Sequence, residues 1–146
     1  MKTILSIIAI LLLNITYSNA QNIESQLGEA ASKGNLKKVK QLVEKKYADV
    51  NCMWQINEAI QIPLIVYVVM ENKSEIARYL IEKGADANAK DGFGMTSLMW
   101  ASYNGDVELV KLLLEKGADK NVVVKGQSAL SAAEERGFTE IIELLK

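Results

Sequence analysis

Histidine is absent from the 146 residues, and cysteine occurs once, at Cys52. Without an imidazole, no Ser–His–Asp triad, Cys–His dyad or histidine metal site can be assembled. A single thiol makes neither an internal disulfide nor a zinc ribbon. An excess of one charge is missing too: Lys and Arg number 17 against 18 for Asp and Glu, a net −1. That excludes a chain that holds nucleic acid by bulk positive charge. The apolar run over residues 4–13 (ILSIIAILLL) falls well short of the roughly 18–20 residues a spanning helix needs. What remains is an ordinary globular balance, 49% hydrophobic and 24% charged, at a length that fits one domain.

Residues 1–20 read as a secretory signal. Lys2 supplies the positive end, residues 4–13 the apolar stretch, and Asn14 breaks it. Ser18 and Ala20 set small residues at the −3 and −1 positions of a cleavage site before Gln21. The chain is therefore expected to be secreted or periplasmic, with residues 21–146 as the mature domain. No cysteine stands beside the cleavage point, so no bacterial lipid anchor is expected there. In an oxidising compartment Cys52 is read as a partly buried thiol, the alternative being a reactive or intermolecular one.

One phrase occurs three times: EKKYADVN over residues 44–51, EKGADAN over 82–88 and EKGADKN over 115–121. The second and third copies are spaced by a period of about 33 residues. Ahead of two of them lie runs with apolar residues on one helical face: Leu36, Val39, Leu42 and Val43, then Val107, Val110, Leu113 and Leu114. A shorter helix is expected over residues 96–104, capped by Thr96 and ended by Gly105. A period near 33 with two helices per unit implies a stacked array, since one unit alone cannot bury its apolar face.

Residues 91–123 resemble an ankyrin repeat over their whole length. Asp91, Gly94, Thr96, Leu98, Ala101 and Gly105 stand where that family's pattern places them. So do the helical apolar residues above and the Gly117-Ala118-Asp119 turn with Asn121. Residues 26–51, 62–88 and 128–146 are similar but looser. The resemblance implies an all-α, ankyrin-type α-solenoid of four stacked helix-turn-helix repeats with hairpin connections, at about 22–53, 54–90, 91–123 and 124–146. The family's Thr-Pro-Leu-His tetrapeptide is degraded here: its proline survives only at Pro63 and its histidine nowhere. A softened scaffold is expected. Lys46 and Asn72 occupy the places of helix-ending glycines, and the hairpin after Asn51 is three residues longer than the one after Asn88. The second repeat is thus the irregular one.

The second helices of the last three units carry an additional apolar pair each: Ile76 and Tyr79, Leu109 and Leu112, Ile141 and Leu144. The first unit has Lys38 and Gln41 there, while Thr139 and Lys146 replace apolar residues at the far end. Such polar ends finish a solenoid, and the array is expected to be complete and monomeric. Asp91-Gly92-Phe93-Gly94 lacks the company of a kinase or calcium loop and is read as a hairpin turn. No metal ligand set, cofactor motif or catalytic pair is singled out.

On the helix over 96–104, Leu98, Ala101 and Ser102 share one stripe; Trp100, Tyr103 and Asn104 lie about 200° away. The same places are charged at the two ends of the array and apolar in the middle, where Val66 and Met70 join. An apolar centre with a polar rim suits a protein-binding patch, the alternative being that Trp100 and Tyr103 pack between adjacent inner helices. In ankyrin-like arrays this stripe and the hairpin tips line a concave groove, which adds Trp54, Phe93 and Met95. The expected function is binding of another protein in that groove, with no intrinsic catalysis and no role in binding nucleic acid or membrane. The alternatives are an inhibitor or immunity protein that occludes an exported enzyme, an end-to-end structural assembly and, remotely, an enzyme working with carboxylates alone.

Overall fold

The computed structural model describes residues 22–146, so the expected signal segment lies outside the described residues. Residues 22–32 are helical (α1), followed by α2 (Leu36–Lys46). Strands β1 (Met53–Asn57) and β2 (Ile60–Pro63) come next. Then come three helix pairs: α3 (Leu64–Met70) with α4 (Ser74–Glu82), α5 (Ser97–Asn104) with α6 (Val107–Glu115), and α7 (Ala129–Arg136) with α8 (Thr139–Leu145). The first helices of these pairs touch in series, α3 to α5 to α7, and the second helices form a parallel row from α2 through α4 and α6 to α8. This is the helix-turn-helix stack that the period implied.

Helix boundaries follow local chemistry. Asn35 and Asp106 cap α2 and α6 by accepting from the Lys38 and Leu109 amides, each at 3.0 Å. Thr96 caps α5, and Ser128 with Ser131 closes a reciprocal capping box on α7. Gly105 ends α5 at φ 76°, the left-handed backbone that glycine adopts at least cost. Asn72 takes a similar conformation, φ 53°, as its place in the repeat implies. At the end of α2 the structure differs from the sequence reading. The left-handed residue is Tyr47, φ 55°, and not Lys46. One extra residue is accommodated there: the Ala48 amide reaches back six residues to the Leu42 carbonyl, where the Ala85 and Ala118 amides reach back five. Tyr47 is thereby pushed out, 89% exposed.

One core runs through the stack from Leu27 to Leu145. Ile76, Tyr79, Leu109 and Ile141 are buried, which fits their assignment to the face meeting the preceding unit. Tyr79 also donates its hydroxyl to Glu44 of α2 at 3.1 Å. Burial and that carboxylate raise the phenol to about 12.

The repeated Asp-x-Asn phrase forms a ladder along the turns. The Asn51 side chain accepts from the Asp86 amide at 2.8 Å and donates to the Gly84 carbonyl at 3.3 Å. Asn88 does the same one turn later, to Asp119 and Gly117, both at 2.8 Å. Asn121 instead turns back to Asp119 of its own phrase, at 3.3 Å.

The stack is not wholly helical. The longer hairpin, after Asn51, pairs β1 and β2 antiparallel, Trp54 opposite Ile62 and Gln55 opposite Gln61, with an irregularity between Gln55 and Asn57. The two shorter hairpins hold single bridges, Lys90 to Thr96 and Val124 to Gln127. Three extra residues thus convert a turn into a short ribbon.

Candidate functional site

The eight residues expected in the groove separate into three groups. Met70, Phe93 and Trp100 line one cleft of about 510 Å³, together with Ile56, Ala59 and Ile60 of the ribbon. Met95, Trp100 and Tyr103 line a second of about 350 Å³, with Met99, Gln127 and Glu135. Trp100 belongs to both and forms the ridge between them. Its ring meets Tyr103 edge-on, centroids 6.3 Å apart, and the Arg136 guanidinium lies 4.7 Å from the Tyr103 ring centre. That stack holds the two aromatics in one orientation. Trp100 Nε1 is screened from solvent and has no hydrogen-bond partner among the described residues. Phe93, at the tip of its hairpin, is 74% exposed.

The other three stand elsewhere. Val66 is fully buried and offers a partner nothing. All seven positions of α3 are apolar, and α3 packs against α4, α5 and both strands, so the ribbon covers the side expected to be open. Trp54 folds its indole over Gly28, where an added Cβ would collide with the ring, and tilts against Tyr67 with centroids 6.0 Å apart. It borders a different, more polar cleft of about 450 Å³ with Glu24 and Ser25. Asn104 donates to the Val69 carbonyl at 2.8 Å and ties α5 to α3. Ile56, Ala59 and Ile60 were missed. The extra hairpin length was their signal, because it lengthens the ribbon beside Phe93.

Cys52 is buried, and burial, then the carboxylates of Glu24 and Asp49, push its thiol up to about 12. The native state therefore holds this proton more tightly than the unfolded chain. The stabilisation is complete below the ordinary thiol value of 9.0 and fades as pH rises toward 12. At pH 8 the folded protein should show no reaction with a thiol-specific disulfide reagent, and one full equivalent after denaturation; prompt reaction of the native protein would contradict the burial. Among the described residues no cluster of three or more acidic or thiol groups could hold a metal ion. No helix among them is long and apolar enough to cross a membrane.

A family model described as ankyrin repeats, in three copies, matches residues 27–124 and 65–146. The two matches together span residues 27–146, so the chain belongs to the ankyrin repeat family. Ankyrin repeats are in general modules of protein–protein interaction. A comparison with curated proteins returns no significant match.

Proposed function

We propose that the protein is an exported, monomeric array of four ankyrin repeats that binds a partner protein through its concave groove and carries out no catalysis itself. The observation that supports this reading is the pair of apolar clefts on one face, divided by Trp100 and rimmed by charged residues. Large aromatics at the centre of such a face dominate binding energy when they become buried. The pairing of α1–α2, α3–α4, α5–α6 and α7–α8 supports four units, and the signal-like residues 1–20 support export.

Truncation of Trp100 or Tyr103 to Ala should weaken the partner complex by about 1–3 kcal/mol, roughly ten- to a hundredfold. Binding titrations and circular dichroism melts on the same variants separate a contact from a packing role. Unchanged affinity in folded variants would remove the groove from consideration. Export is tested by N-terminal sequencing of protein from the extracellular or periplasmic fraction, which should begin at Gln21 and not at Met1.

A further inference from the structure

The ribbon of β1 and β2 presents an unpaired edge to the larger cleft. The Leu64 amide donates to the Cys52 carbonyl at 2.9 Å, which makes this a hydrogen-bonded pair. Such pairs alternate along an antiparallel ladder, so Trp54–Ile62 is the next. Between them lies Met53–Pro63, and beyond them Gln55–Gln61, whose amide groups face away from the partner strand. Pro63 has no N–H to leave unpaired at such a position, which is where an edge strand accepts proline. Gln61 has both an N–H and a carbonyl there, and no turn or cap bond among the described residues takes them up. Ile60, Gln61 and Ile62 all border the cleft, opposite Asp91, Gly92 and Phe93. Side chains alternate across a strand, so three consecutive residues border one cavity when the strand's edge forms its wall.

Charge narrows the occupant. Asp91 lines the cleft, while Glu58 and Glu71 each adjoin a lining residue and are exposed. Lys90 is the one cation placed comparably among the described residues. A partner that brings positive charge beside an apolar anchor complements this rim.

We infer that this cleft takes an extended, basic and apolar peptide segment of the partner, which adds to β2 as a third strand through the Gln61 backbone. Its bulky apolar side chain rests over Met70 and Trp100, and its Lys or Arg side chains face Glu58, Glu71 and Asp91. Main-chain bonds supply affinity and the cleft supplies selectivity, as in other strand additions. The inference rests on the groove reading and deepens it.

The probe is a capped heptapeptide alternating lysine and leucine, compared with its glutamate–leucine counterpart and with a form N-methylated at its central residues. The lysine peptide should bind, protect the Gln61 amide from hydrogen exchange at least tenfold, and outcompete the glutamate peptide by at least tenfold. Gln61→Pro removes the edge donor where an edge strand tolerates proline, and should weaken binding at least tenfold without changing the melt; Gln61→Ala, which keeps the amide, should not. Should Gln61→Pro fail to fold, the N-methylated peptide reads the same bonds from the other side and should bind at least tenfold more weakly. No binding of the lysine peptide, equal binding of the glutamate peptide, or binding indifferent to both backbone changes overturns the inference. If Trp100→Ala still weakens binding of the native partner roughly ten- to a hundredfold, the groove reading survives that result; if affinity is unchanged in the folded variant, both fall.

Discussion

Leu113→Ala is expected to lower the melting temperature by roughly 10–20 °C, through a loss of about 2–5 kcal/mol. Leu113 has no exposed surface and sits in the continuous core, on the helix whose neighbours are α4, α5 and α8. Truncation removes dispersion contacts and leaves a cavity that close-packed helices fill only in part. Because each unit of a stack is stabilised by its neighbours, the whole array should lose structure together. Thermal melts followed by circular dichroism measure this directly. A midpoint equal to wild type would show that Leu113 contributes no interior packing.

Gly105→Ala should be nearly as costly, about 2–4 kcal/mol, for two separate reasons. At φ 76° any L side chain is strained, by about 1–2 kcal/mol. An added Cβ would also lie 2.6 Å from Cζ of Phe138, so the ring at the start of α8 has to move and its packing is overfilled. Gly137 isolates the two effects. It ends α7 at φ 72° with nothing within 4 Å of an added Cβ, so Gly137→Ala should show the backbone strain alone. Chemical denaturation of both variants gives the difference. Equal losses would mean that the Phe138 ring yields freely and that α8 is not pinned through this contact.

The helices were legible because their signals are local. Leu36–Lys46 was readable from one apolar face, and the α5 boundaries from Thr96 and Gly105, each cap acting within four residues. The core-facing stripe of α5 was legible on the same ground: Leu98, Ala101 and Ser102 are buried, and Trp100 and Tyr103 stand off that stripe. Val66 was misplaced because a helix reading LIVYVVM is apolar all round, and periodicity selects no face from it. Trp54 was misplaced because its partner, Gly28, is 26 residues earlier and carries no side chain to advertise the contact. The left-handed Tyr47 eluded the repeat alignment because the added residue lies within the phrase itself, where either neighbour could have filled the glycine place.

The asparagine ladder gives the stack a direction of dependence. Asn51 and Asn88 each serve the turn that follows, so every turn after the first borrows its closure from the unit before it. Take away a later unit and the asparagine ahead of it loses only an occupation, free to fold back as Asn121 does onto Asp119. Take away an earlier unit and the next turn's amide and carbonyl lose their side-chain partner and are left to water. In this ladder, then, support passes forward along the chain: the first unit props the second, and the second props the third.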